Sequence, residues 1–188
     1  MQNAGKIFEN AIKGSFPDYC LVIRLPDPPQ SFGQSEGLRF SNKNPCDYVA
    51  FDSLHRKFLT LELKSTKSSS FSVQRTKEEK SKMIKIHQIK ALTEFAEYDH
   101  VIAGFIFNIR DEKNAVERIY FQYIGDFNTM VANLNKASCN EKDIITYNAI
   151  EIHGEKKRTR YTWNVNEFLK GVSKKVPLTL DSGMNDSI

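Results

Sequence analysis

Long apolar runs are missing from this sequence, and none approaches the ~18 residues that a membrane-spanning helix requires. Near the start, Lys6 and Glu9 interrupt what would be the apolar region of a secretory signal. We therefore expect a cytoplasmic protein that has no membrane partner.

Cysteine is also scarce. The chain has three cysteines, Cys20, Cys46 and Cys139, which are widely spaced and include no Cys-x-x-Cys pair. This pattern excludes a disulfide framework and a cysteine-rich zinc site, and it suits a reducing compartment.

The bulk composition is that of an ordinary globular protein, with 40% hydrophobic and 27% charged residues. A length of 188 residues suits one α/β domain. We expect that domain to span residues 1–175 and a disordered tail to span residues 176–188.

Positive charge is concentrated in one part of the chain. From Lys64 to Lys90 there are eight Lys or Arg residues against two acids, although the net charge is only +4. The excess favours a polyanionic partner. A solvated, mobile loop explains it equally well.

Periodicity and turn residues predict alternating helices and strands. The predicted helices are 1–14, Lys80–Tyr98, one from an Asp126 N-cap to Leu134, a short one opened by a Ser138–Glu141 capping box, and Asn166–Val172. The predicted strands are Tyr19–Leu25, one that opens at Asp47, Phe58–Lys64, Val101–Ile109, Arg118–Ile124, and 149–153 and 160–163 around a basic turn.

One long segment, 27–43, is rich in Pro, Gly, Ser and Asn and is predicted to form no regular element. It carries Arg39 and Lys43 close to two phenylalanines. Such a loop suits contact with a bent or branched nucleic acid, and it is equally compatible with a surface excursion.

Two acids and a lysine are predicted to converge on two neighbouring strands. Along Phe58–Lys64 the leucines take one face, and Glu62 and Lys64 lie about 7 Å apart on the other. Asp47 opens the preceding strand. A surface salt bridge on a strand is the simpler alternative, but the alternating leucines and the hydroxyl-rich basic run after Lys64 favour a functional site.

The oxygens of this group suit Mg²⁺, a hard cation that binds carboxylates, water and phosphate. Asp47 and Glu62 would supply carboxylates, and the backbone carbonyl of Leu63 is a further candidate ligand. Lys64 would orient or deprotonate an attacking water, or stabilise the developing charge.

Two more polar residues draw attention. Gln88 shares a helix face with Leu92 and Phe95, so its amide is expected to point toward the sheet, where a buried amide needs a partner. Glu9 lies beside the apolar stripe of the first helix and by itself would be taken for a surface charge.

The motifs together resemble a known group. The segments are GKIFENAI, NPCDY, LELKSTKSSSFS and IKIHQIKAL. They are similar to those of the PD-(D/E)xK nucleases, and specifically of RecU-type Holliday junction resolvases, including members that phages encode. The resemblance covers most of the chain, up to about Tyr161.

That resemblance implies a restriction-endonuclease-like α/β fold, in which helices flank a mixed central β-sheet. It also implies a homodimer that makes paired symmetric nicks in four-way DNA junctions, in recombination and repair, within a bacterial or phage-infected cell. The implied cofactor is Mg²⁺, with Mn²⁺ as a substitute. A restriction-like, flap or duplex endonuclease of the same fold stays open, as does a non-catalytic DNA-binding module.

Five positions match the catalytic residues of that group. Asp47 and Glu62 match the metal ligands, and Lys64 matches the catalytic lysine. Gln88 matches the glutamine of the His-Gln motif. Glu9 matches the acid of the N-terminal helix and would reach the metal through water.

Segment 27–43 falls where the resolvases have a stalk that enters the junction. The residues expected to contact DNA are Arg39, Lys43, Ser65, Lys67, Arg75 and Lys77, with Lys156, Lys157, Arg158 and Arg160 as further candidates.

Overall fold

A computed structural model describes residues 4–26, 44–79, 81–158 and 160–175. Within these residues the chain forms five helices and ten strands. In chain order they are α1 (Ala4–Lys13), β1 (Cys20–Arg24), β2 (Tyr48–Asp52), β3 (Lys57–Thr66), β4 (Ser70–Ser72), α2 (Ile86–Phe95), β5 (Val101–Asp111), β6 (Val116–Tyr123), α3 (Ile124–Asn133), β7 (Ser138–Asn140), α4 (Glu141–Thr146), β8 (Ile150–Ile152), β9 (Gly154–Lys157), β10 (Arg160–Trp163) and α5 (Val165–Lys175).

Six strands form the central sheet, in the order β1-β2-β3-β5-β6-β8. Strands β3 and β5 run parallel, and the other neighbouring pairs are antiparallel. Strands β4 and β7 form one separate pair, and β9 and β10 form another. The predicted α/β fold, with a mixed central sheet flanked by helices, is confirmed.

The sheet has an apolar core on each face. Alternation along β3 sends Leu59, Leu61 and Leu63 to the face that α1 and α5 cover. The opposite face packs against α2, α3 and α4, with Phe105 and Phe107 of β5 at its centre. Glu62 and Lys64 therefore lie on the face that α2 covers.

The second helix is shorter than its sequence pattern predicts. It begins at Ile86 instead of residue 80, so Met83 lies outside it. The buried side chain of Ile84 belongs to the core beneath α2, and its backbone pairs with Val73 in an isolated parallel bridge. This pairing keeps Ile84 out of the helix.

Two further predicted helix starts are wrong. Helix α3 begins at Ile124, so Asp126 lies in its first turn and accepts a hydrogen bond from Asn148 instead of capping the helix. Helix α4 begins after Asn140, whose side chain accepts from the amide of Asp143 at 2.9 Å. Ser138 cannot serve as the cap because it lies in β7.

The remaining differences are small. The predicted basic turn after residue 153 is largely strand β9, and α5 extends from Val165 to Lys175. Residues 27–43 and the tail 176–188 lie outside the described residues, so the predictions made for them stay predictions. Among the described residues, no helix has the length and apolar character needed to cross a membrane.

Candidate active site

The pairing of β2 with β3 brings the two predicted acids together. Tyr48 lies opposite Leu61, and Asp47 directly precedes Tyr48, so its side chain comes next to Glu62. The Oδ2 atom of Asp47 accepts a hydrogen bond from the amide of Leu63 at 2.8 Å. The two carboxyl groups are close enough that the charge of Asp47 acts on Glu62.

Glu62 is the most deeply buried member of this group, with only 2% of its surface exposed. Its Oε1 atom accepts from Nζ of Lys64 at 2.7 Å and from Nε2 of Gln88. One oxygen of Glu62 therefore joins a lysine of its own strand to an amide of α2.

Burial sets the acidity of both carboxyls. It raises the pKa of Glu62 from 4.5 to about 7, against the attraction of Lys64, and the neighbouring Asp47 adds to the rise. Burial also raises the pKa of Asp47, which the Leu63 amide and Lys64 oppose.

Helix α2 presents Gln88 to the sheet, as the sequence predicts. The Oε1 atom of Gln88 accepts from the amide of Lys85 at 3.0 Å, directly before the helix begins. Both ends of this side-chain amide are thus bonded, one to the start of its own helix and the other to Glu62. The arrangement fixes the orientation of the amide.

The structure places Glu9 close to the pair of acids but gives it a different partner. Its Oε2 atom accepts from Nε of Arg24 at 3.0 Å, although its charge acts on Asp47. Across the residues that the structure describes, no three His, Cys, Asp or Glu side chains form a ready-made metal cluster. Direct ligation by Glu9 is therefore not seen, and contact through water stays a prediction.

The donor set at Asp47 and Glu62 fits a divalent cation. Two neighbouring carboxyls at a partly buried site repel each other when both are ionised, and a cation bound between them would neutralise that charge. The amide of Leu63 points toward Asp47, and the carbonyl of the same strand residue points to the same side. The available ligands are therefore all oxygens, the kind that Mg²⁺ prefers.

The predicted DNA-contacting residues fall into three groups. Arg39 and Lys43 lie outside the described residues, but their segment begins and ends beside the site, because the side chain of Asn44 donates to the carbonyl of Pro26 and the amide of Leu25 donates to the carbonyl of Asp47. The second group consists of Lys67 and Lys77, whose side chains are exposed.

In the third group, Ser65 and Arg75 have partners within the protein. Arg75 donates from Nη2 to the carbonyls of Leu134 and Lys136, at 2.7 Å each. Ser65 donates to Oδ1 of Asn108 at 2.6 Å and accepts from Nε of Arg110 at 3.1 Å. Their roles in DNA binding stay predictions.

Sequence reasoning missed Arg24 and Arg110. Arg24 is the last residue of β1, and the i, i+2 pattern of that strand was the available signal that it faces the first helix. Arg110 lies near the end of β5, two residues beyond the buried Asn108. For Arg110 and Asn108, the available signal was the presence of polar residues at the end of an otherwise apolar strand.

The chain is similar to known proteins both in sequence and in structure. No protein-family model matches the chain. The structure is similar to that of Hjc, a Holliday junction resolvase from Archaeoglobus fulgidus, with a TM-score of 0.45 and 17% identity over 78% of this chain and 93% of that one. In sequence, the chain is 32% identical over 191 residues to the SPbeta prophage-derived uncharacterized protein YotM of Bacillus subtilis (strain 168), covering 92% of this chain and 88% of the relative. The chain therefore belongs to the family of YotM.

Proposed function

We propose that this protein is a Mg²⁺-dependent endonuclease that cuts branched DNA. The observation that carries the proposal is the pair formed by the buried Glu62 and the half-buried Asp47, joined through Glu62 to Lys64 and Gln88. Burial raises the pKa of both carboxyls at a cost in stability, and such costs are concentrated at functional sites. We assign the reaction to one domain over residues 1–175.

The metal would be held by Asp47, Glu62 and the backbone carbonyl of Leu63, with Glu9 acting through water. Bound there, Mg²⁺ or its substitute Mn²⁺ would supply Lewis-acid activation of a phosphodiester and of water. Arg24 holds the carboxylate of Glu9 at 3.0 Å and so fixes its position near Asp47.

Lys64 and Gln88 act on the charge and the geometry of the site. The ammonium of Lys64 lies 2.7 Å from Glu62, where it can stabilise the negative charge that develops on a phosphate under attack. Gln88 positions Glu62 through its amide, which its own helix start holds in one orientation.

A four-way junction is the proposed substrate, and paired nicks on opposed strands require two active sites related by a two-fold axis. The resemblance of the motifs to those of RecU-type resolvases supports this choice. DNA as the substrate places the reaction in the cytoplasm of a bacterial or phage-infected cell.

An exposed apolar strip supports the homodimer that such cutting requires. Leu21, Ile23, Phe51 and Phe58 are 61%, 48%, 43% and 37% exposed. The strand register places Leu21 beside Phe51 and Phe51 beside Phe58, on one face of the sheet edge. A contiguous patch of this kind is typical of an interaction surface, and a two-fold axis lets it pair with itself.

Sedimentation tests the dimer. Phe51→Lys should convert a dimer into a folded monomer, because it places a charge at the centre of the strip. Val116→Lys is the matched control, since Val116 is 41% exposed and lies in β6, beside the end of β5 that is far from Phe58. A wild-type monomer at micromolar concentration would contradict the dimer.

Cleavage of three synthetic DNAs tests the substrate. The wild-type protein should nick a four-way junction symmetrically with Mg²⁺ and should cut linear duplex and flap DNA much more slowly. With Ca²⁺, whose coordination is larger and less demanding, it should bind with little turnover. Equal rates on all three DNAs would reject junction specificity, and the absence of Mg²⁺-dependent nicking would reject the nuclease.

A further inference from the structure

The hairpin of β9 and β10 stands apart from the central sheet and carries a high density of positive charge. Residues 154–158 are exposed throughout. The basic side chains are Lys156, Lys157, Arg158 and Arg160, against a single acid, Glu155. Repulsion among these charges disfavours the arrangement unless an anion is close.

Two aromatic residues hold this hairpin firmly against the rest of the protein. The rings of Tyr161 and Trp163 stack with centroids 4.9 Å apart and an interplanar angle of 9°. The hydroxyl of Tyr161 donates to the carbonyl of Ala115 at 3.3 Å and accepts from the amide of Glu117 at 3.2 Å. The amide of Trp163 donates to Oγ of Ser15 at 3.0 Å. The basic charges are therefore fixed in place, unlike those of a solvated loop.

A concavity of about 290 Å³ lies between the hairpin and α1. Its charged lining consists of Arg110, Lys156, Arg160 and Glu117, and Arg110 also pairs with Glu112 at 3.5 Å. The positive surface thus extends from the hairpin onto the end of β5.

The same surface approaches the candidate active site at the end of β3, from the other face of the sheet. Nε of Arg110 donates to Oγ of Ser65 at 3.1 Å, and Ser65 directly follows Lys64. Asn108 completes the support, because it accepts from Ser65 and donates to Glu117 at 2.9 Å. Alternation places Ser65 and Arg110 on the face that α1 covers, so the guanidinium of Arg110 lies one residue along the strand from Lys64 but on the opposite face of the sheet.

We propose that the β9–β10 hairpin and Arg110 bind the phosphate backbone of the DNA arm next to the strand that is cut. This inference rests on the proposed nuclease function and names the surface that receives its substrate. Lysine and arginine recognise phosphates without reading bases, which suits an enzyme that selects DNA by shape. A two-stranded ribbon is also narrow enough to lie along a groove about 12 Å wide.

The test compares two double variants that remove equal charge from opposite ends of the protein. Lys157→Ala with Arg160→Ala removes two exposed residues that lie opposite each other in the hairpin. Lys170→Ala with Lys174→Ala is the control, since these exposed lysines of α5 lie beside the β2–β3 turn, at the end of β2 away from Asp47. Lys156 is kept because its ammonium lies over the Tyr161 ring at 6.0 Å.

The measurement is the dissociation constant for a four-way junction in Ca²⁺, over a range of salt concentrations. The slope of log K against log salt should fall by about 1.8 in the hairpin variant, at about 0.9 per lost phosphate contact. At 0.1 M salt this corresponds to a loss of affinity of about sixtyfold. The control variant should keep the wild-type slope, and Lys157→Arg with Arg160→Lys should restore it.

Three results separate the possibilities. Equal slopes in the two double variants, with wild-type thermal unfolding in both, would overturn the hairpin proposal. Nicking by the wild type together with such equal slopes would reject the hairpin and leave the nuclease standing. A hairpin-dependent slope in a wild type that never nicks DNA would support the hairpin and reject the nuclease.

Discussion

Replacing Glu62 by glutamine should stabilise the metal-free protein while abolishing its proposed activity. The side chain is 2% exposed, and burial raises its pKa from 4.5 to about 7. At about 1.4 kcal/mol per pH unit, this rise corresponds to about 3 kcal/mol that the ionised carboxylate costs the folded state. The attraction of Lys64 is already included in the pKa. Glutamine has the same shape, keeps an oxygen for Lys64 and Gln88, and carries no charge.

The stability that Glu62→Gln gains over the wild type should increase with pH. A carboxyl whose pKa is raised on folding binds more protons in the folded state, so the wild type loses stability as pH rises from about 4.5 to about 7. Glu62→Gln removes this dependence. The difference in free energy of unfolding should be about 3 kcal/mol at pH 8, about 1 kcal/mol at pH 5, and close to zero below pH 4.

Denaturant unfolding with a chelator present, at pH 8 and pH 5, measures both values. Glu97→Gln is the matched control, because Glu97 is exposed and should change stability by less than about 0.5 kcal/mol. Adding Mg²⁺ should stabilise the wild type and leave Glu62→Gln unchanged. A variant less stable than the wild type at pH 8 would refute the reasoning, because Glu62 would then stabilise the fold as an ion-pair partner of Lys64.

Three further substitutions test individual contacts. Gln88→Ala should lower the cleavage rate about 10- to 100-fold with little change in DNA affinity, because it frees Glu62 to reorient; an unchanged rate in single-turnover cleavage would contradict this. Arg24→Ala should raise the Mg²⁺ concentration needed for half-maximal cleavage by a similar factor, since Glu9 loses its partner at 3.0 Å. Arg24→Lys should stay close to the wild type, and Mg²⁺ titrations of both variants that match the wild type would argue against a role for Glu9. Gly154→Ala should destabilise the protein by about 1–3 kcal/mol, because an added Cβ would lie 2.2 Å from the ring of Trp163; wild-type thermal unfolding would show that the ring moves freely.

The sheet and the pair of acids could be predicted because they depend on local patterns. Alternation along β3 assigns Leu61 and Glu62 to opposite faces, and a tight turn places the start of β2 beside them. Gln88 was predicted to face the sheet because helical spacing relates it to Leu92. Each of these inferences needs only the chain within one hairpin or one helix.

Contacts between distant elements could not be predicted in the same way. The start of α2 depends on Ile84, whose pairing with Val73 outweighs the helical pattern before residue 86. The pairing of Arg24 with Glu9 requires α1 to pack across β1, which no spacing in the sequence specifies. The basic run after residue 154 looked like a turn because exposed strands carry no apolar alternation.

Cleavage by Asp47→Asn tests the central claim most directly. Asparagine keeps the shape of the side chain and an oxygen for the amide of Leu63, at 2.8 Å in the wild type, but it removes a metal-binding charge. Four-way junction binding in Ca²⁺ and single-turnover cleavage in Mg²⁺ should be measured on the same preparation. We predict that the variant binds the junction as the wild type does and that its cleavage falls by at least about a thousandfold. Wild-type cleavage by Asp47→Asn would contradict the assignment of this site.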